Sequence, residues 1–595
     1  MQMLRIRTVD YLDPHAAAGH LEYDAIPQTV AGLQSLGTIT LPWAVDQSEL
    51  LLNKIELTRG EQKVDVLKDA PIAVLRRETN LDKSEFDGVR TAVLTPKGLQ
   101  VGDRLTVAAT YVDKRDPLQK MEQIEDWAVN EPVRRLEREF IVPAGADVQW
   151  TMSPDIPTPT ITRTDKATSY RFIADNMEPL AFPSFTPERF KRPMIQFTAY
   201  KDWAEVADVL RRRFDTARII GEASPVAQEA EKIAKGTADP TARVIAALRL
   251  AQEKVRYIAI VLDDGAYTPT AAEETWSLKY GDCKAKTALL LALLDQLEVK
   301  AEPLLVSTEY DDSLGIALPG LALFDHVIVR ASVDGKDYYL DPTDYGQRTA
   351  AELSRAAYQR GLPLRQGATL EKLHQAVLDA PSTETEIVWD ATNGFTGEVP
   401  FTAKLTLRGV SAAKYRAQAI AATDHATLEE DLKKVVPRIS NDDLEIGKIE
   451  PEAADGTYRV TMSGTASMDW SPFEGKKRPV YEFDQSVASW NEDFQREDAK
   501  WMNLPVSLTR YLWQRSTETI LLPNGGKGFK LQGSDIDASI AGNQIKRHAT
   551  LSGNRATVRS EFRMLSAEMT GPQAVAATKQ LKDINDSPQY LTAPR

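Results

Sequence analysis

Between Leu4 and about Trp150 the sequence consists of short runs in which apolar and polar residues alternate: LEYDAI, LLNKIEL, KVDVL, RTAVL, RLTVAATYV and LEREFIVP. Period-two alternation buries one face of a strand and exposes the other, and the Gly, Pro and Asp residues between runs mark turns. Evenly spaced short strands of this kind predict a β-sandwich. Ser153–Thr164 (SPDIPTPTITRT) reads as an exposed connection or an edge strand carrying Pro, and SYRFIADN as one more strand.

The period changes after Lys201. DWAEVADVLRRRF, SPVAQEAEKIAKG and TARVIAALRLAQEKVRYIAI have helical spacing, and Ser224-Pro225 is a helix start. A loop through DDGAYTPTAAEETWS and a strong helix from about Asp282 follow, then the strands AEPLLVST, HVIVRASV and DYYLDPT. Residues 351–378 read as polar and helical. Strands return in TEIVWDA, FTAKLTLRG, GTYRVTMSGTASM, TETILLP and NRATVRSEFRML, with helical insertions at SAAKYRAQAIAA and GPQAVAATKQLKDIND. No internal repeat is visible. The expected fold is multidomain and mostly β. A β-sandwich spans 1–195, an α+β core 196–350, and a β-rich part with helical insertions 351–595.

The net charge of −14 argues against a nucleic-acid surface, which needs clustered Lys and Arg. A single cysteine, Cys283, excludes an intramolecular disulfide and any cysteine metal cluster. The longest aliphatic run, Ala288–Leu294, is far short of the ~20 residues needed to cross a bilayer. MQMLRIRTVDYLDPHAAAGH lacks the pattern of a signal peptide. The expected location is periplasmic or secreted if a signal has been removed, and cytoplasmic otherwise.

The chemistry concentrates in YGDCKAKTALLLALLDQL. Gly281 turns the chain and Asp282 caps a helix, so Cys283 falls in its first turn. There the helix dipole and free N–H groups favour a thiolate and can hold an oxyanion, and Lys284 and Lys286 add positive charge. A thiolate nucleophile wants a histidine base, itself oriented by a third group. His326 lies 43 residues on, at the start of HVIVRASV, and Asp341 a further 15 on, at the end of KDYYLDPTDYG. A turn at Asp334-Gly335 makes these runs a hairpin that can bring Asp341 beside His326.

In GDCKAKTALLLALLDQLEVKAEPLLVS, DHVIVRA and DYYLDPTDYG the chain resembles the transglutaminase-like superfamily, relatives of papain-like cysteine peptidases. The closer likeness is to bacterial proteins that carry an N-terminal domain of unknown function of the DUF3857 type, followed by a transglutaminase-like core. VRYIAI…YTPTAAEETW…GDCKAKT stands where that family shows RYVGIE…P…GDCKDKA. The resemblance implies Cys283 as nucleophile, His326 as general base and Asp341 as its orienter, with no cofactor and no metal. Ala285 replaces an acidic residue common in the family, a change expected at the entrance of the site. The oxyanion-site tryptophan of the animal enzymes has no counterpart at the right distance in Trp276 or Trp203. Trp276 and Gln252 are alternative donors.

The function expected is thiol-dependent acyl transfer on a peptide, protein or amide substrate through a Cys283 thioester, resolved by water. Protein crosslinking and a non-catalytic scaffold with a relic core are the alternatives. Other motifs read as structural. His15, His20, His374, His425 and His548 lack partners in sequence. Arg211–Arg213 is a solvated helix face, and Asn524–Gly528 a hairpin turn without phosphate-loop spacing. Asp263-Asp264-Gly265 and Asp311-Asp312 lack calcium-loop spacing.

Overall fold

The computed structural model describes the chain apart from residues 14–16, 46–47, 69–70, 77–88, 115–118, 259–266, 374–377, 422–424, 437–438, 441–442, 454, 473–477, 488–493, 495, 497–500, 509–511 and 595. His15, His374 and Asp263-Asp264-Gly265 lie outside the described residues. The fold is multidomain and mostly β, and it divides into two compact units. The first is Met1–Phe182, Glu188–Thr343 and Ala356–His374; the second is Pro183–Pro187, Asp344–Arg355 and Gln375–Arg595.

The alternating runs of the first unit form an eight-stranded sheet. Its order is Thr160–Arg163, Ala167–Met177, Val133–Pro143, Gln2–Tyr11, Ala18–Ile26, Arg104–Asp113, Ser48–Arg59, Gln62–Asp65. The Pro- and Thr-rich segment supplies the edge strand Thr160–Arg163. Two small sheets pack on the large one. Glu122–Asp126, Gln149–Met152 and Met194–Thr198 enclose a core around Phe140, Phe172 and Phe197. Ile39–Ala44, Ala73–Arg76 and Val89–Leu94 enclose another around Ile55, Leu105 and Val107.

The α+β part of this unit is built on the helix Cys283–Gln296, buried throughout its first twelve residues. A helix apolar all round belongs inside a core. It packs against the helices Pro225–Gly236, Pro240–Lys254 and Ala272–Leu278 on one side. On the other lie the strands Lys300–Val306 and His326–Val333. The sheet order is Lys336–Leu340, His326–Val333, Lys300–Val306, Arg360–Pro363, Glu371–Lys372. Two expectations fail here. Residues 351–378 are not a helix: after one turn, Ala350–Leu353, the chain pairs Arg360–Pro363 onto the sheet, because Leu362 and Pro363 sit opposite Leu305 and Leu304. The expected loop DDGAYTPTAAEETWS contains the helix Ala272–Leu278, whose first turn carries Glu273 and Glu274 at the positive dipole end.

The second unit has its own eight-stranded sheet. Its order is Glu445–Glu450, Tyr458–Ser467, Glu398–Leu407, Thr383–Asp390, Trp513–Leu521, Arg555–Arg563, Asn543–Ser552, Ile536–Ile540. A four-stranded sheet of Trp470–Pro472, Pro479–Glu482, Tyr590–Thr592 and Lys530–Gln532 closes its core around Trp389, Phe401 and Phe483. Asn524–Gly528 is not a hairpin. It is a left-handed turn, with positive φ at Asn524, Gly525, Gly526 and Gly528, and it carries the chain from Trp513–Leu521 into the other sheet. The buried Arg416 holds this unit's Asp344–Arg355 segment. It pairs with the equally buried Glu352 at 2.7 Å and donates to the carbonyls of Gly346, Pro451 and Gly456.

The absence of a repeat in the residues hides one in the topology. In each large sheet seven strands occur in the same spatial order and the same chain order. The first strand, Gln2–Tyr11 or Thr383–Asp390, pairs parallel with the fifth, Val133–Pro143 or Trp513–Leu521. The other neighbours among the seven are antiparallel. Even a register shift recurs on the same strand, at Leu52/Lys54 and at Ile446/Lys448. Both copies carry a helical insertion after the second strand, Val30–Leu36 in one and Val410–Ala421 with His425–Lys433 in the other.

Candidate active site

Cys283 is the first residue of its helix, as Gly281-Asp282 predicts. Asp282 Oδ1 accepts the Ala285 N–H at 2.8 Å and closes the cap. Gly281 is required there: a Cβ on it lies 2.7 Å from Ala285 Cβ and 3.2 Å from Thr275 Cγ2. Ala285 is therefore buried beneath the turn, not at an entrance.

The Asp334-Gly335 turn has φ of 51° and 76°, and the hairpin it closes pairs Val333 with Lys336 and Val329 with Leu340. It delivers His326 and Asp341 to the same end of the sheet. His326 Nε2 meets Asp341 Oδ2 at 2.8 Å, and Cys283 lies close enough to the ring to help raise its pKa. With Nε2 engaged by the carboxylate, Nδ1 is the nitrogen left for the sulfur. Cys283 is 2% exposed and His326 8%.

Burial alone would push the His326 pKa down. The Asp341 charge and hydrogen bond outweigh it, with help from Cys283, and hold the imidazole well above its usual 6.5. Burial likewise acts to raise Asp341, but His326 and Thr343 keep it below the ordinary carboxylate range. The Thr343 N–H and hydroxyl donate to Asp341 Oδ1 at 2.9 and 2.7 Å, a turn legible in the sequence as Asp-Pro-Thr.

The two lysines do not act as the sequence suggested. Lys284 is buried and paired with Asp282 Oδ2 at 2.5 Å, so its charge is largely offset. Lys286 is fully buried, donates to the Val255 carbonyl at 2.6 Å, and is pushed down to about 8 by burial, against the pull of Asp341. Gln252 Nε2 donates to the Asp341 main-chain carbonyl at 2.9 Å. Trp276 lies beneath the Lys279 ammonium, 3.0 Å from the ring centroid. Trp203 packs edge-on against Phe324.

The remaining candidates are structural. Asp311 accepts the Gln359 and Arg360 N–H groups, and Asp312 pairs with Arg189. Arg211 pairs along its own helix with Asp208 and Asp215. His20 bonds Thr110 and His548 bonds Asp535. Among the described residues no helix is long and apolar enough to cross a membrane.

Residues 26–181 match the family described as a domain of unknown function with a solved structure, DUF3857, and that domain is present here. No curated protein matches the chain. A crystal structure of a candidate protease from Parabacteroides distasonis is similar over 99% of both chains, with a TM-score of 0.62 at 13% identity. A candidate cysteine protease from Cytophaga hutchinsonii aligns with 56% of this chain and 77% of its own, at 12% identity and a TM-score of 0.13. The chain shares its whole multidomain fold with the Parabacteroides protein.

Proposed function

We propose that the protein is a cysteine peptidase or amidase in which Cys283 is the nucleophile, His326 the general base and Asp341 its orienting carboxylate. The observation that carries the reading is the His326–Asp341 hydrogen bond set beside Cys283, which opens a helix N-terminus. In this mechanism the thiolate attacks the substrate carbonyl carbon. The oxyanion forms against N–H groups of the first helical turn. The protonated His326 passes its proton to the departing amine, leaving a thioester on Cys283. His326 then takes a proton from water, which attacks the thioester and releases the acid. The fold of the Parabacteroides candidate protease is consistent with this assignment. A periplasmic or secreted location, suited to a chain with one thiol, belongs to the same proposal.

A peptidyl acyloxymethyl ketone tests it. Stoichiometric labelling at Cys283 that is lost in His326→Ala is the expected result. Slow labelling indifferent to His326→Ala overturns the assignment and favours a scaffold.

A further inference from the structure

The loop from Ser307 to Asp325, which ends on His326, is held by the sandwich that precedes the core. Gln196 sits on the wholly buried strand Met194–Thr198, and its amide makes a reciprocal pair with the backbone of one residue. Nε2 donates to the Leu318 carbonyl at 2.8 Å and Oε1 accepts the Leu318 N–H at 2.8 Å. Glu122 lies on the neighbouring strand and the same face, where Ile124 pairs with Gln196. Its Oε2 accepts the Ala322 N–H at 3.2 Å. Between the two contacts Gly320 passes so close that a Cβ would stand 3.0 Å from Glu122 Oε2 and 3.2 Å from Gln196 Nε2. Farther out, Arg189 pairs with Asp312 and Arg192 with Glu309. Leu321, Leu323 and Phe324 then fix the remaining residues by burial.

Two features set this apart from ordinary packing. Gln196 and Glu122 are buried polar side chains that bond backbone groups of a loop, Glu122 also accepting from Gln119, so they define its path and not merely its environment. The path ends two residues after Phe324 on a histidine that must hold Nδ1 at the sulfur and Nε2 at Asp341 together. Such geometry tolerates errors of about 0.5 Å.

We infer that Gln196 and Glu122 are positioning residues for His326, and that the sandwich serves the reaction by clamping the histidine loop. The inference rests on the triad reading above. It assigns no contact with substrate to either residue.

The test uses the full chain and follows the iodoacetamide alkylation rate of Cys283 from pH 4 to 9, with melting temperature alongside. Gln196→Leu removes both bonds to Leu318. Gly320→Ala displaces the loop while leaving the clamp side chains unchanged, and it stands in if Gln196→Leu does not fold. Glu122→Gln retains an acceptor for Ala322 and serves as the conservative variant. Wild type should be alkylated faster at acid pH than His326→Ala. Gln196→Leu and Gly320→Ala should move the acid limb up by about one pH unit, lowering the rate at pH 6 about tenfold. Glu122→Gln should stay within about twofold of wild type. A lowered melting temperature with an unchanged alkylation profile in the first two variants overturns the clamp but leaves the triad standing. A wild-type profile identical to that of His326→Ala overturns the triad reading, and the clamp with it.

Discussion

Replacing Asp341 by Asn keeps the shape of the triad and removes its charge. At 2.8 Å, opposite unit charges attract by roughly 6 kcal/mol at an effective dielectric of about 20. Burial of the imidazole opposes this, and the surplus holds His326 protonated well above 6.5. Without the carboxylate charge only the burial penalty remains large, so the His326 pKa should fall below 6.5. The proposed pairing of Cys283 with a protonated His326 then loses its support. Each pKa unit corresponds to 1.36 kcal/mol, or tenfold. The Cys283 alkylation profile of Asp341→Asn should move up by at least about one pH unit. Turnover of a peptide substrate should fall by roughly 10³–10⁴-fold, the scale on which a triad loses activity when its orienting carboxylate is neutralised. Stability follows by linkage. The raised His326 contributes fully below about 6.5 and loses its contribution as pH rises through its elevated value; the lowered Asp341 contributes above about 3.8 and loses it as pH falls through its depressed value. The stability gap between wild type and variant, measured by urea denaturation, should be widest between about pH 4 and 6.5 and narrow at alkaline pH. An alkylation profile unmoved by Asp341→Asn, with turnover within about threefold of wild type, refutes this reasoning.

Three further outcomes are expected. Gly281→Ala should cost about 1–3 kcal/mol through the close approach to Ala285 and slow Cys283 alkylation, and Ala285→Gly in the same chain should recover part of both. Arg416→Met strands the buried Glu352 and three backbone carbonyls, so the second unit should lose about 3–5 kcal/mol by guanidinium denaturation, with Glu352→Gln milder. Lys286 is pushed down to about 8, so in the wild type its burial penalty should be relieved as pH rises from about 8 towards 10.5. Lys286→Met should flatten that rise in denaturation midpoint.

Much of the site was legible because it depends on local signals. Gly281-Asp282 predicts the helix start to the residue, and Asp334-Gly335 predicts the hairpin that brings His326 and Asp341 together. What escaped depends on tertiary partners. Lys284 and Lys286 look like surface charge in sequence; their burial follows from a helix enclosed on all sides. Gln252 meets Asp341 across 89 residues, and Gln196 meets Leu318 across 122, separations that carry no periodic signal. Residues 351–378 contain helix-forming composition, but an open sheet edge at Lys300–Val306 outweighs local propensity. The repeated seven-strand plan was invisible because pairing order and register are backbone properties. Side chains need only keep their inward alternation to preserve them.

The two units interleave along the chain, and this has a consequence for biosynthesis. Residues Asp344–Arg355 belong to the second unit, yet Arg360–Pro363, which covers the inner edge of Lys300–Val306, belongs to the first. The chain leaves the first unit at Thr343, two residues past Asp341, and must return before the histidine sheet is whole. Emerging from a ribosome at about 5–20 residues per second, the nascent sheet therefore shows an unpaired strand for roughly 1–4 seconds after Asp341 has appeared. Cys283, His326 and Asp341 are all spelled out before their scaffold is sealed, and the completed edge marks the moment when the nascent chain ceases to be a template for mispairing.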